Sequence, residues 1–124
     1  MSPSVLLVED SPTQAKQISD ILAEAGFEVR HVEDGPDAIQ QVLDNRPDLI
    51  VLDVRLPTMD GYQVCSRLKR NPDTKRIPII MLTSQDSAKQ TMAGLQSGAD
   101  DYIAKDEFAL ETLLETATEL GILT

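Results

Sequence analysis

Only one cysteine, Cys65, occurs in the 124 residues, and no apolar run approaches the roughly 20 residues that a membrane-spanning helix requires. A single thiol excludes a disulfide bond within the chain and fits a reducing compartment. The residues from Met1 to Ser4 contain no basic segment of the kind that begins a signal peptide. We therefore expect a cytoplasmic protein without a membrane partner.

Basic and aromatic residues are also scarce. The chain carries 11 Lys and Arg against 21 Asp and Glu, a net charge of −10, and aromatic residues make up 3% of it. This balance opposes non-specific binding to nucleic acid or to anionic membranes. The composition therefore argues against a nucleic-acid partner, and it is compatible with a basic protein partner or with divalent cations.

Internal repeats, low-complexity tracts and Gly/Ser-rich linkers are missing from the sequence, so we expect one domain over residues 1–124. Short apolar runs alternate five times with segments of helical spacing; the fourth such helix is predicted from Ala88, Met92 and Leu95. The strands are predicted at 4–8, 28–32, 48–53, 78–82 and 101–104. Strict alternation predicts an α/β fold, a doubly wound, flavodoxin-like (βα)5 domain with a parallel sheet in the order 2-1-3-4-5 and helices on both faces.

The third predicted strand ends on a carboxylate. The run Leu49–Asp53 has four apolar residues, which is typical of a strand buried on both faces, where an ionised side chain is costly to bury. At the carboxyl end of the strand Asp53 can instead emerge from the sheet. In the predicted order the first and third strands are neighbours, and ligands bind outside their carboxyl ends. We therefore expect Asp53 to meet Asp10, which follows the first strand.

Other side chains that carry chemistry follow the strand ends. The full set is Glu9, Asp10, Asp53, Thr83, Ser84 and Lys105. Converging carboxylates repel one another and raise one another's pKa, and a hard cation such as Mg²⁺ removes this repulsion. A lysine and a hydroxyl group nearby suit a phosphoryl group, and an Asp carboxylate can form an aspartyl phosphate. We interpret the cluster as a metal-assisted phosphorylation site on Asp53.

With these residues identified, the sequence resembles the receiver domain of two-component response regulators, of the chemotaxis type that consists of a single domain. The matching segments are 8–11, 53–61, 82–84, 98–102 and Lys105. Each segment is short, but all of them occur in this order, each at its own strand end. The resemblance implies a phosphoacceptor signalling domain with no enzyme activity beyond self-phosphorylation and self-dephosphorylation at Asp53.

The resemblance also implies individual roles at the site. Asp53 matches the acceptor of a phosphoryl group from the phosphohistidine of a histidine kinase or phosphotransfer protein. Asp10, Asp53 and the backbone carbonyl of Arg55 match the ligands of Mg²⁺, for which Mn²⁺ is a possible substitute. Glu9 matches the residue that holds a metal-bound water.

Three further positions match the residues that detect the phosphoryl group. By resemblance, Lys105 pairs with the phosphoryl oxygens and Thr83 hydrogen-bonds one of them. Tyr102 matches the aromatic residue that swings inward as Thr83 moves. This movement changes the face formed by the fourth helix, the fifth strand and the fifth helix, which a downstream protein partner would bind. The expected assembly is a monomer or a weak dimer.

The chain departs from the family pattern after Lys105, where a proline is usual and Asp106 stands instead. A cis bond before a residue other than proline costs roughly 3–4 kcal/mol, so the loop is either trans with a changed path or strained. Asp106 is a candidate cap for the last helix.

Two alternatives share the same acceptor. One is a receiver cut from a larger regulator or hybrid kinase. The other is a small Mg²⁺-dependent aspartyl-phosphate phosphatase, which needs an acid two residues beyond the nucleophile, where Arg55 stands. His31 and the basic residues between 67 and 76, including Lys69, are predicted to lie on solvated surface without a role at the site.

Overall fold

The computed structural model describes residues 2–83 and 96–123. The strands are β1 (Ser4–Val8), β2 (Glu28–Val32), β3 (Leu49–Asp53), β4 (Ile79–Thr83) and β5 (Asp101–Ala104). The helices in this part of the chain are α1 (Pro12–Glu24), α2 (Gly35–Asp44), α3 (Gly61–Arg70) and a C-terminal helix (Ala109–Glu119). The helix predicted around Met92 lies outside the described residues. None of the described helices is long and apolar enough to cross a membrane.

The strands form one parallel sheet in the order β2-β1-β3-β4-β5, which confirms the predicted fold. β1 and β3 are neighbours, with Val8 opposite Leu52. On the other side of β3, Asp53 is paired with Leu82 of β4. The residues that follow β1 and the end of β3 therefore leave the sheet side by side, as the switch point of this topology requires.

Three strand boundaries differ by one residue from the prediction. β3 begins at Leu49 rather than at residue 48, and β4 runs from Ile79 to Thr83 rather than from 78 to 82. Thr83 belongs to the sheet because it is paired with Ala104 of β5, and its carbonyl accepts a hydrogen bond from the amide of Lys105 at 2.6 Å. The hydroxyl of Thr83 is thus presented from the last position of a strand.

The two faces of the sheet bury separate halves of the core. Every residue of β3 and β4 is buried. Leu49 and Val51 pack with α1 and the C-terminal helix, whereas Ile50 and Leu52 pack with α2 and α3, because successive side chains of a strand point to opposite faces. Leu43, part of the apolar spacing that predicted α2, is 48% exposed instead.

The boundaries of α1 follow signals in the sequence. The hydroxyl of Ser11 accepts a hydrogen bond from the amide of Gln14 at 3.4 Å, and Pro12 is the first helical residue. The helix ends before Gly26, whose φ of +108° lies in the left-handed region that favours glycine. Capping at Ser11 places the first turn of α1 next to the residues that follow β1.

The first turn of α3 lies directly against the end of β3. The amide of Gly61 donates to the carbonyl of Val54 at 2.8 Å, and a Cβ atom at Gly61 would overlap the carbonyl oxygen of Asp53. A residue without a side chain is required for this approach. The preceding loop contains Thr58 at a φ of 71°, a conformation that is uncommon for a β-branched residue. This loop holds α3 against the backbone of Asp53.

Candidate metal centre and phosphoacceptor site

Three carboxylates meet where β1 and β3 end. Ligand atoms of Glu9, Asp10 and Asp53 lie within 4.8 Å of one another. Glu9 and Asp53 are 1% and 6% exposed, whereas Asp10 is exposed to solvent. The backbone positions Glu9, because its amide donates to the carbonyl of Val32 at 3.1 Å and so extends the ladder between β1 and β2. The structure therefore brings together the three acids that the topology predicts to be close.

The crowding of these acids changes the protonation of Glu9. Burial raises the pKa of the Glu9 carboxyl to about 8, and a hydrogen bond with Asp53 and the charge of Asp53 act in the same direction. The Lys105 ammonium group opposes this shift of the pKa. Without a metal, the Glu9 carboxyl therefore holds its proton to a higher pH than a free glutamate does. Carboxylate oxygens at this spacing suit a hard divalent cation, so the donor set fits Mg²⁺.

Lys105 supplies the positive charge of the site. Its ammonium group lies 3.0 Å from Oδ2 of Asp53 and 3.3 Å from Oε2 of Glu9, and its side chain is 18% exposed. A third contact, at 2.7 Å, joins it to Oε1 of Gln14 on α1. The lysine therefore reaches the end of β3 from beyond β5, across the end of β4. It is placed to neutralise charge on Asp53 or on a group bound there.

Thr83 and Tyr102 lie on adjacent strands beyond the acids. Thr83 is 2% exposed and follows Leu82, the residue paired with Asp53. Tyr102 is half-buried on the face that packs with α2 and α3, and its hydroxyl lies 3.2 Å from the hydroxyl of Tyr62. Burial, together with the Tyr102 hydroxyl, raises the pKa of Tyr62, so the Tyr62 phenol remains neutral at physiological pH. Ser84, the other predicted hydroxyl, lies outside the described residues.

Arg55 contributes to the site through its backbone. Its amide lies 3.3 Å from Oδ1 of Asp53, while its side chain is exposed. The two oxygens of Asp53 are therefore distinguished, since Oδ1 faces the loop after β3 and Oδ2 faces Lys105.

The loop that follows Lys105 begins the C-terminal helix without proline. The peptide bonds in the described part of the chain are all trans. Oδ1 of Asp106 accepts a hydrogen bond from the amide of Phe108 at 2.8 Å, and its carbonyl accepts one from the amide of Ala109. The N-cap position is occupied by Phe108, so the prediction that Asp106 caps the helix is wrong. Asp106 instead closes a turn ahead of the first helical residue.

Two residues assigned to the solvated surface make specific contacts. Nε2 of His31 lies 2.7 Å from the backbone carbonyl of Glu9, so His31 adjoins the site although its side chain is exposed. The ammonium group of Lys69 lies 2.7 Å from Oδ2 of Asp100 and 2.9 Å from the carbonyl of Ile77. Lys69 thereby joins α3 to the segments that flank β4 and β5, and its side chain is 16% exposed.

Sequence reasoning also missed Gln14 and Tyr62. The partner of Gln14 is 91 residues away in the chain, and that of Tyr62 is 40 residues away. A glutamine in the first turn after a serine cap is ordinarily read as a capping-box residue, so the available signal indicated a local partner for Gln14. An aromatic residue at the start of a helix is ordinarily read as packing, and no local signal distinguished Tyr62.

Comparison with known proteins assigns the family. Residues 5–118 match the model of the response regulator receiver domain. The response regulator MprA of Mycobacterium tuberculosis is 40% identical over 114 residues, which cover 92% of this chain and 48% of MprA. The chain thus spans about half the length of the curated relatives it matches.

Solved structures agree with this match. The receiver domain of a signal transduction histidine kinase from Syntrophus aciditrophicus is 40% identical, with a TM-score of 0.89 over 96% of this chain and 89% of that one. The receiver domain of the sensor histidine kinase PA1611 from Pseudomonas aeruginosa is 32% identical, with a TM-score of 0.87 over 98% and 99% of the two chains. That domain has a magnesium ion coordinated in its active-site cleft. With the sheet order and the cluster of acids, these matches show that the chain belongs to the family of response regulator receiver domains of two-component signalling.

Proposed function

We propose that this receiver is a phosphoacceptor switch in which Asp53 takes a phosphoryl group from the phosphohistidine of a histidine kinase or phosphotransfer protein. The observation that carries the proposal is the contact of 3.0 Å between Lys105 and Asp53, beside two further acids. A lysine held against a carboxylate at a metal-binding cluster can balance the charge of a phosphoryl group as that group arrives. The acceptor and its counter-charge are thus assembled before the donor binds.

In the transfer, an oxygen of Asp53 forms a bond to phosphorus while the bond from phosphorus to the imidazole nitrogen breaks. The electron pair of the broken bond stays on the nitrogen of the donor. Mg²⁺, when bound, supplies positive charge to the phosphoryl oxygens. Asp10, Asp53 and the carbonyl of Arg55 would hold the ion, with Glu9 acting through a water; Mn²⁺ meets the same need for oxygen donors. A bound cation would favour the ionised form of the Glu9 carboxyl.

The phosphoryl group then changes the surface of the receiver. It adds a charge of about −2 and three acceptor oxygens beside a lysine and a hydroxyl group. Lys105 pairs with these oxygens and Thr83 donates to one of them, and Tyr102 responds to the displacement of Thr83. The affected face comprises β5, the C-terminal helix and the predicted fourth helix, and a downstream protein partner binds there. The proposal is supported by the burial of Thr83 next to the strand of the acceptor.

The proposal extends to the setting of the domain. Residues 1–124 form one receiver unit, which acts as a monomer or weak dimer. Its chemistry is limited to the phosphorylation and dephosphorylation of its own Asp53. Cys65, a buried free thiol, is consistent with a reducing cytoplasmic location. The phosphatase alternative is not favoured, because the exposed Arg55 occupies the position where that chemistry needs an acid.

The test is incubation of the purified chain with a small acyl phosphate and Mg²⁺, followed by measurement of the intact mass. The wild-type chain is expected to gain one phosphate. Asp53→Asn removes the nucleophile and should abolish the gain, whereas Asp73→Asn, at an exposed aspartate in the loop after α3, should retain it. A wild-type chain that stays unmodified, or a gain that persists in Asp53→Asn, would overturn the proposal.

A further inference from the structure

Two helices begin with the same spacing of residues but use it differently. Asp60 caps α3, and its carboxylate accepts from the amide of Gln63 at 2.9 Å, while Oε1 of Gln63 accepts from the amide of Asp60 at 3.1 Å. Ser11 and Gln14 stand at the same spacing at the start of α1. There, however, Oε1 of Gln14 accepts a hydrogen bond from the ammonium group of Lys105 at 2.7 Å. The first turn of α1 therefore directs its glutamine to the site.

The contact with Gln14 is the shortest of the contacts made by the Lys105 ammonium group. The other two, at 3.0 and 3.3 Å, are to the carboxylates of Asp53 and Glu9. An ammonium group has three donors, so these three acceptors account for all of them. The hydrogen bond to Gln14 on α1 opposes the attraction of the Lys105 ammonium group to the two acids. Without this acceptor, the ammonium group would have a free donor and would shift towards the carboxylates.

The charge of the acceptor matters as much as its position. The amide of Gln14 is neutral, so it orients Lys105 without reducing the positive charge of the ammonium group. A carboxylate in its place would form an ion pair and compete with an incoming phosphoryl group. In the reaction with an acyl phosphate, the charge of Lys105 is needed beside the phosphoryl group that arrives at Asp53. An oxygen of Asp53 bonds to phosphorus, the bond from phosphorus to the acyl oxygen breaks, and the carboxylate of the donor leaves with the electron pair; no proton is transferred.

We propose that Gln14 is a positioning residue that holds the Lys105 ammonium group in place for phosphoryl transfer while leaving its charge available. This inference rests on the proposed function of Asp53. The acceptor of this hydrogen bond, Oε1 of Gln14, belongs to α1, so the bond does not depend on the presence of the phosphoryl group. Gln14 therefore keeps Lys105 oriented while its other contacts change from the carboxylate of Asp53 to phosphoryl oxygens.

The experiment compares the wild-type chain with Gln14→Met, Gln14→Glu and the control Gln17→Met, an exposed glutamine further along α1. Phosphorylation by a small acyl phosphate with Mg²⁺ is followed as a function of donor concentration. Gln14→Met should lower kcat roughly 3- to 10-fold, the effect of losing one hydrogen bond at an exposed position, with little change in KM. Gln14→Glu should lower kcat further and raise KM, because it neutralises Lys105 and repels the anionic donor. Gln17→Met should match the wild type.

A second measurement separates positioning from folding. In the metal-free protein, the ¹⁵N-labelled ammonium signal of Lys105 should shift and exchange faster with water in Gln14→Met, while the urea midpoint of unfolding stays unchanged. A wild-type chain that fails to take phosphate would overturn the function proposed for Asp53. A wild-type chain that reacts, with Gln14→Met and Gln14→Glu as fast as Gln17→Met, would overturn the role of Gln14 alone. So would a Gln14→Glu variant that restores the wild-type rate, since any acceptor would then suffice.

Discussion

Replacement of Gly61 by alanine should both destabilise the fold and disturb the position of Asp53. A methyl group at this position would overlap the carbonyl oxygen of Asp53 and lie 2.9 Å from Cα of Val54. Both obstacles are backbone atoms, at the last residue of the central strand and the residue after it, so no side-chain rotation relieves the overlap. Either α3 retreats, with loss of the 2.8 Å hydrogen bond from Gly61 to Val54, or the peptide after Asp53 moves.

The magnitude follows from these contacts. Overpacking a core position costs about 1–3 kcal/mol, and a weakened backbone hydrogen bond adds about 1 kcal/mol. The higher helix propensity of alanine offsets up to about 1 kcal/mol of this loss in the free energy of unfolding. The free energy of unfolding should therefore fall by roughly 1–3 kcal/mol, which urea denaturation monitored by circular dichroism can resolve. The rate of phosphorylation should fall as well, because the contact between Asp53 and Lys105 depends on the position of that backbone.

Gly35→Ala is the matched control. Gly35 is likewise the first residue of its helix, but a Cβ atom there would meet mainly side chains, Cγ2 of Val64 at 2.8 Å and Cβ of Met59 at 3.0 Å. These side chains can shift by small amounts, so the expected loss is about 1 kcal/mol, with the phosphorylation rate unchanged. An unchanged urea midpoint for Gly61→Ala, or a larger loss of stability for Gly35→Ala, would refute the importance of the close approach at Gly61.

Three other predictions concern strain, a buried contact and protonation. Thr58→Gly should raise the free energy of unfolding by roughly 1 kcal/mol in thermal melts, because glycine adopts the φ of 71° without the strain of a β-branched side chain; a loss of stability would contradict this. Lys69→Met should lower the free energy of unfolding in urea by about 2–3 kcal/mol, because the Asp100 carboxylate and a backbone carbonyl lose their partner. The control Arg70→Met, at an exposed position, should change it by less than about 0.5 kcal/mol. In EDTA, the contribution of Glu9 to stability should decrease as the pH rises from about 5 to about 8. Folding raises the pKa of Glu9 from 4.5 to about 8, so in this pH range the folded chain binds a proton that the unfolded chain has released. Glu9→Gln should remove this component of the pH dependence, and identical slopes for the two proteins would show that Glu9 does not carry it.

The sheet and the position of Asp53 could be predicted because both follow from local patterns. Runs of apolar residues identify β3 and β4, and alternation with helices determines that the strands are parallel. Once the order of strands is known, residues at neighbouring carboxyl ends must be close, however far apart they are in sequence. Asp10 and Asp53 illustrate this, since the fold alone brings them together.

The contacts that hold these side chains in place could not be predicted in the same way. Gln14 carries a local signal, the capping box, that points to a partner other than Lys105. His31 and Lys69 are bound by backbone carbonyls, which every residue possesses and which no sequence pattern marks. Asp106 accepts from the amide of Phe108 rather than from within the helix, because the loop without proline begins the helix two residues later than the cap signal suggests.

The first turn of α3 contacts both the end of β3 and the edge strand β5. Gly61 touches the carbonyl of Asp53, and the adjacent Tyr62 touches the hydroxyl of Tyr102 on the edge strand β5. The capping box of Asp60 and Gln63 closes this turn from both sides, so its residues are held as one rigid piece. The main chain of Asp53 and the phenol on β5 are therefore both in contact with the same helical turn, so a movement of that turn would reach both of them.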